Sequence, residues 1–505
     1  MLSIFDQGSP TPCPTPFNLA AHVLGRADHA QDKVALSILS PNGAQDWTYR
    51  DLKAAVLGTG TGLLRAGLKP GDIALMRLGN TVDFPIAYLG AIAVGIVPVP
   101  TSSQLTEPET ARMIDELSPA VILRDPGVAC ASHSKQIGLD ALKAMRSLPP
   151  AEFDMGDPER MAYVVYTSGT SGKPRAVAHA HRAIWARQMM VDGWYGLRET
   201  DRLCHAGAFN WTYTLGTGLM DPWTMGATAL IPAPGTEITA LPALLRQHGA
   251  TIFAAAPGVY RKMVQECERM ELPDLRHGLC AGEKLSRALH EKWRKATGTE
   301  LFEAYGMSEC STFISSSPDH PARSDALGQP QPGRRVAILG PDGPVPKGQE
   351  GTIAIHRTDP GLMLTYLNAP DEVETRMQGE WFLTGDQGAM ALDGQISYLG
   401  RDDDMMNAGG YRVSPVEVEA ALSRFPGITQ VGAAAVEVKP DTFVIAAFYT
   451  GPEKLDDAAL RTYVEANLAR YKQPRAFIHL PALPTGGNGK LLRRALPAYF
   501  EAPTK

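Results

Sequence analysis

The chain is poor in cysteine for its length, and what it has is unpaired by pattern. Cys13, Cys130, Cys204, Cys267, Cys280 and Cys310 are scattered through 505 residues, and none forms C-x-x-C. That argues against a disulfide framework or a zinc site and for buried free thiols. Long apolar runs are also missing. The most apolar stretch, Ile86 to Val97, falls short of the ~20 residues that cross a bilayer and reads as a buried helix. The opening Met-Leu-Ser-Ile-Phe-Asp lacks a basic segment followed by a long apolar one, so no signal peptide is expected and the expected location is cytoplasmic. Positive charge is not in excess either. A net charge of −6 argues against a general nucleic-acid or anionic-membrane binder, and says nothing against a local basic pocket. No internal repeat is evident.

What is present describes a globular chain of two or more domains, 44% apolar and 20% charged. One stretch carries chemistry at once: Tyr166-Thr-Ser-Gly-Thr-Ser-Gly-Lys-Pro-Arg175. The run Met161 to Val165 before it reads as a strand. Thr167, Ser168, Gly169, Thr170, Ser171, Gly172 and Lys173 then offer hydroxyls, close-approach glycines and a cation, the chemistry of a polyphosphate clamp. It is not a P-loop. Gly169 and Gly172 are too close, and Pro174 stands where the hydroxyl should be. Pro174 also disfavours helix at Lys173. On composition alone a plain Ser/Gly surface loop remains open.

Along the chain, residues 1–16 are rich in Pro and read as an arm. Phe17 to Leu24 has helical spacing, and Thr48 with Asp51 reads as the N-cap of another helix. Gly58-Thr-Gly-Thr-Gly62 hints at a dinucleotide loop, but lies in a helical pattern and reads as close packing. Gly71–Met76 and Ala120–Arg124 read as strands, so the first part is α/β. His179 and His181 could bind metal only with further ligands that the neighbourhood lacks. Gly328–Gly333 and Lys347–Thr352 bracket a small β subdomain, and Asp393-Gly394 signals a hairpin turn. The triple acid Asp402–Asp404 lacks the spacing of a Ca²⁺ loop and reads as a solvated linker. Beyond it, helix 415–424, strands 431–438 and 443–449, helix 457–468 and strand 476–480 form a compact α+β module.

Four more stretches follow the hydroxyl-rich loop: Ala208-Phe-Asn-Trp-Thr-Tyr-Thr-Leu-Gly216, Glu303-Ala-Tyr-Gly-Met-Ser-Glu309, Trp381-Phe-Leu-Thr-Gly-Asp386 and Leu483-Pro-Thr-Gly-Gly-Asn-Gly-Lys490. In that order they resemble the adenylate-forming superfamily, which holds acyl- and aryl-CoA synthetases, luciferases and peptide-synthetase adenylation domains. The resemblance spans residues 17 to 495. Ser308 stands for the usual Thr and keeps the hydroxyl. Gly486 and Asn488 stand where hydroxyl residues are common, and Asp402 is an additional acid.

The resemblance implies an α/β fold: a large N-terminal domain, 1–400, with α/β layers and a small β subdomain; a hinge, 401–404; and a small mobile α+β C-terminal domain, 405–505. It implies that Glu309 holds Mg²⁺ and Ser308 contacts the α-phosphate. Tyr305 stacks on adenine, flanked by Gly282, Glu283, Lys284, Glu303 and Ala304. Asp386 takes the ribose hydroxyls, and Arg401 ribose or phosphate. Phe209, Asn210, Trp211 and Gly306 line the acyl pocket. Lys490 enters for adenylation. The small domain then turns at Asp403 and presents Gly409, Gly410 and Arg412 to the thiol.

The implied reaction joins ATP and a carboxylic acid into acyl-AMP, releasing pyrophosphate, and then passes the acyl group to coenzyme A. Residues 17–21 and 84–92 look most like the benzoate (aryl)-CoA ligase branch and its medium-chain relatives. Asn210 cannot supply the negative charge with which amino-acid-activating relatives hold an α-ammonium. Gly306 leaves the pocket floor bare where acetate-specific relatives have a bulky aromatic, and Phe209, Trp211 and Tyr213 offer flat apolar walls. An aryl or medium-chain acid is therefore expected, benzoate-like slightly ahead. Other readings are a same-fold enzyme that serves a carrier protein or another acceptor, and a non-catalytic nucleotide-binding protein. The second predicts decay of Lys490, Glu309 or Asp386, and none has decayed. No nucleic acid and no membrane span are expected; a homodimer is compatible.

Overall fold

The structure, a computed structural model, describes residues 1–500 apart from 9, 168–173, 324–325, 409–410, 440–441, 469 and 487–489. At 403, 407–408, 411–412, 439, 442 and 471 it describes the backbone alone. Among these residues the largest sheet has nine strands. Their order is Gln329–Pro330, Ser311–Ser315, Glu300–Met307, His277–Ala281, Ile252–Ala255, Arg202–His205, Thr228–Pro232, Val34–Ser40 and Gly43–Thr48. From Glu300–Met307 through Val34–Ser40 the strands are parallel. Both faces are covered, as parallel sheets require. Phe253, Tyr260 and Trp293 pack on one side, Trp194, Tyr213 and Phe302 on the other.

A second, all-parallel sheet joins Val97–Pro100, Ile73–Arg77, Val121–Arg124 and Gln136–Gly138. Beside it, helix Asp83–Ala93 is buried along its whole length, because its apolar residues surround the axis. Helix Tyr49–Arg65 packs on it, started by Thr48, whose hydroxyl accepts from the Asp51 amide at 3.1 Å. The glycine run belongs to this helix. A Cβ on Gly60 would lie 2.8 Å from Val94 Cγ1, and one on Gly58 2.6 Å from the Arg146 carbonyl. The run is a packing surface, as its helical setting predicts.

A hairpin of Met161–Tyr166 and Ala176–Ala180, with Thr365–Tyr366 on its edge, carries the hydroxyl-rich loop at its tip. The β subdomain is antiparallel: Ile4–Asp6, Arg335–Gly340, Glu350–His356, Trp381–Met390 and Met377–Gln378, with Ile396–Arg401 also on Trp381–Met390. The first residues are thus not only an arm. Phe5 pairs with Val336, a partner that local sequence cannot reveal.

Beyond the turn Asp402–Asp404, Gln430–Lys439 pairs antiparallel with Thr442–Thr450, and Ala476–His479 adds parallel to it. Helices Pro415–Leu422 and Asp457–Asn467 close a core of its own, which Met406 and Val413 already join. All six cysteines are free. Among the described residues no helix is long and apolar enough to cross a membrane.

Candidate active site

Strands Glu300–Met307 and Ser311–Ser315 pair antiparallel, with a register break between Tyr305 and Gly306. The turn between them carries Ser308 and Glu309. Glu309 is buried, and its Oε1 accepts from the Tyr366 hydroxyl at 2.6 Å and from Arg376 Nη1 at 3.0 Å. Among the described residues its Oε2 accepts no hydrogen bond. Arg376 is held in turn: Nε donates to the Leu383 carbonyl, Nη2 to the Thr384 carbonyl, and the guanidinium lies 4.6 Å over the Phe382 ring.

A buried carboxylate with one spare oxygen suits Mg²⁺, which takes one or two carboxylates and fills its other positions with water and phosphate. A protein-only cage is not built: among the described residues no three His, Cys, Asp or Glu side chains cluster. His179 and His181 are used elsewhere. His179 Nε2 pairs with the Ser308 carbonyl at 2.7 Å and its ring stacks on Tyr163, while His181 Nδ1 accepts from the Leu19 amide. Burial pushes their pKa values down to about 4 and about 3.

The nucleotide residues form one wall. Asp386 Oδ2 accepts from the Tyr305 hydroxyl at 2.5 Å, so one oxygen of this carboxylate is engaged by the phenol expected to meet adenine. Arg401 pairs in register with Asp386. Lys284 and Glu303, both expected at the nucleotide, are ion-paired at 2.7 Å. Glu303 also accepts from the Leu285 amide, and both Glu303 and Ala304 are buried.

Lys490 reaches this wall from the C-terminal module. Its Cε lies 3.9 Å from the position a Cβ would take on Gly282. The residue as a whole is exposed, and the end of its side chain approaches the large domain. Desolvation there lowers its pKa, partly offset by the attraction of Glu283. Burial raises the Glu283 pKa, with Arg261 and Lys490 pulling the other way.

The acyl-side residues divide. Trp211 is half-buried and covers Gly282, its ring 2.9 Å from a Cβ built there. Asn210 is half-buried beside it. Phe209 and Tyr213 are core residues. Phe209 packs on Phe84, and the Tyr213 hydroxyl is committed to the Leu279 carbonyl. Gly306 is exposed, yet its Cβ direction runs into backbone: a side chain there would meet the Ser311 carbonyl oxygen at 2.1 Å. The close strand pair demands glycine, so Gly306 is not a measure of pocket size. Small residues Ala281 and Ala304 at the strand ends belong to the same apolar cluster as Trp211.

Ser168, Gly169, Thr170, Ser171, Gly172, Lys173, Asn488, Gly409 and Gly410 lie outside the described residues, as do the side chains of Asp403 and Arg412. The stem of the hydroxyl-rich loop is described. The Thr167 amide donates to the Arg175 carbonyl at 3.0 Å, and Arg175 is ion-paired to Glu372. In the linker, Gln387 donates to Asp402 at 3.2 Å, and Asp404 faces Arg493 and Arg494 at 3.9 and 3.7 Å. Sequence reasoning missed Tyr366 and Arg376; their only local signal is a hydroxyl and a cation between two recognised stretches.

A lysine of the C-terminal module thus stands against a wall of the large domain that carries Glu283 and Asp386. The chain belongs to the AMP-binding enzyme family, whose model matches residues 25–367, and the AMP-binding enzyme C-terminal domain matches residues 417–490. It is 28% identical to an uncharacterized acyl-CoA ligase of Bacillus subtilis over 508 residues, 95% of each chain. It is also 28% identical to the benzoate–CoA ligase of Thauera aromatica over 527 residues, 97% of this chain and 98% of that one. The solved anthranilate CoA ligase AuaEII, in complex with anthranoyl-AMP, superposes with a TM-score of 0.87 at 24% identity, covering 96% of this chain and 98% of that one.

Proposed function

We infer that the chain is an ATP-dependent, AMP-forming acid–thiol ligase for an aryl or medium-chain acid, with coenzyme A as acceptor. The observation that carries this reading is Lys490 meeting the Gly282–Glu283 wall beside Asp386 and Tyr305. A carboxylate attacking the α-phosphate of ATP brings two anions together, so cations and donors must stand where charge builds up. Lys490, the Ser308 hydroxyl and the loop Thr167 to Lys173 serve that need. Glu309 Oε2 would hold Mg²⁺, and the ion would supply charge neutralisation on the phosphates. Asp386 and Arg401 orient the ribose, and Tyr305 with Ala304 receives adenine. The Lys284–Glu303 pair fixes the strand ends beneath them.

Adenylation turns a poor leaving group into AMP, which a thiol displaces without strong acid–base help. For that step residues 405–505 turn about 401–404 at Asp403, withdrawing Lys490 and bringing Gly409, Gly410 and Arg412 to the thiol. Benzoate-like acids rank slightly ahead. Ala281, Ala304 and Trp211 support a flat apolar guest, as does the likeness to a benzoate–CoA ligase. A cytoplasmic enzyme, paired as a homodimer, completes the proposal; light scattering tests the pairing.

The test is pyrophosphate release with Mg²⁺-ATP over acetate, butyrate, hexanoate, octanoate, benzoate, cinnamate and phenylalanine, with and without coenzyme A. Each methylene buried in a fitted pocket contributes roughly 0.8 kcal/mol, so acetate should be a poor substrate. Highest kcat/KM for acetate or phenylalanine overturns the acid class. AMP release indifferent to coenzyme A overturns the acceptor.

A further inference from the structure

Arg376 lies in no stretch that sequence reasoning singled out, yet its guanidinium joins two parts of the site. Nη1 reaches Glu309 Oε1 at 3.0 Å and the Tyr366 hydroxyl, and Nη2 donates to the Thr384 carbonyl at 2.8 Å, two residues before Asp386. Nε donates to the Leu383 carbonyl and the plane rests on Phe382, so the cation cannot turn away without losing several contacts. Among the described residues Glu309 is thereby gripped by one oxygen only.

We propose that Arg376 is a positioning residue and built-in counter-ion for Glu309: it aims Oε2 at the metal position and keeps bare divalent cations from settling there before nucleotide arrives. This rests on the reading of Glu309 as the metal carboxylate. A fixed positive charge beside a carboxylate weakens its hold on a lone cation. A metal already carrying ATP is less affected, because the phosphates supply most of its ligands. Tyr366 helps by occupying the same oxygen, which blocks bidentate binding.

The test is titration of the full chain with Mn²⁺ alone, followed by electron paramagnetic resonance, beside steady-state pyrophosphate release. Arg376→Met should bind free Mn²⁺ roughly 10-fold tighter than wild type, the scale on which partners of metal ligands act. Its kcat for adenylation should fall while KM for the acid stays put. Arg376→Lys, keeping the charge, should restore weak Mn²⁺ binding. Tyr366→Phe should tighten Mn²⁺ by a smaller factor, and decides the matter if Arg376→Met does not fold. Glu309→Gln should remove the gained binding. Unchanged or weaker Mn²⁺ binding in a folded Arg376→Met, or in Tyr366→Phe, overturns the counter-ion role alone. Mn²⁺ binding that survives Glu309→Gln overturns the metal-carboxylate reading and the proposal with it.

Discussion

On the large domain, Lys284 is locked to Glu303 at 2.7 Å and Glu309 to Arg376 at 3.0 Å, while Asp386 is tied to Tyr305. On the C-terminal module, Lys490 comes within reach of Gly282 and makes no ion pair among the described residues. The fixed wall holds its charges in place before any ligand binds; the module's lysine is left uncommitted. Preorganised charge costs no rearrangement during reaction. A cation that must arrive and leave cannot be bonded in the same way, since each bond would have to break at every turnover.

The sharpest break of this contrast is Lys490→Ala. Acid-dependent pyrophosphate release should fall at least about 100-fold, the scale of one lost transition-state donor. Thioester formation from supplied acyl-AMP should persist; equal loss of both steps would mean that Lys490 does not come and go. Next is Asp403→Pro, which fixes φ in the linker and restricts its neighbour. Acyl-AMP should still form while acyl-CoA does not. Wild-type acyl-CoA rates would place the turning point elsewhere.

The contrast also predicts unequal stability losses for the two lysines. Lys284→Met strands the buried Glu303 and should cost roughly 1–3 kcal/mol in urea denaturation. Lys490→Ala should cost far less, and similar losses would erase the distinction. The smallest expected effect concerns His205, which is fully buried with neither ring nitrogen bonded among the described residues. Burial holds its pKa down to about 3, against about 6.5 unfolded. The fold thus favours the neutral ring: that contribution is complete above about pH 6.5 and is lost as pH falls toward 3. His205→Leu should match wild type at pH 7.5 and show a shallower loss of denaturation midpoint below pH 6. Parallel midpoint curves would refute the buried neutral ring.

The order of site stretches was legible because each is short, chemically distinctive and local. So were the Thr48 cap, the buried helix and the glycine run. What failed to show was contact across distance. Phe5 finds Val336, and Tyr366 and Arg376 find Glu309, only after folding. Gly306 was legible as a glycine, but its cause was not: the obstacle is the Ser311 backbone, and no local pattern reveals which way an absent Cβ would point. Phe209 and Tyr213 illustrate the same limit, since aromatic residues read alike whether they face a ligand or a core.

The two-residue strand Thr365–Tyr366 has a consequence for chain length. Tyr366 sits opposite Val177 in the hairpin that carries the hydroxyl-rich loop, while its hydroxyl bonds Glu309. Side chains alternate along a strand, so gaining or losing one residue just before it would turn the phenol to the opposite face. Surface connections usually tolerate such insertions. Here the strand works as a ruler, tying the stem of the hairpin to the carboxylate, and the connection before it cannot be lengthened by a single residue without detaching one from the other.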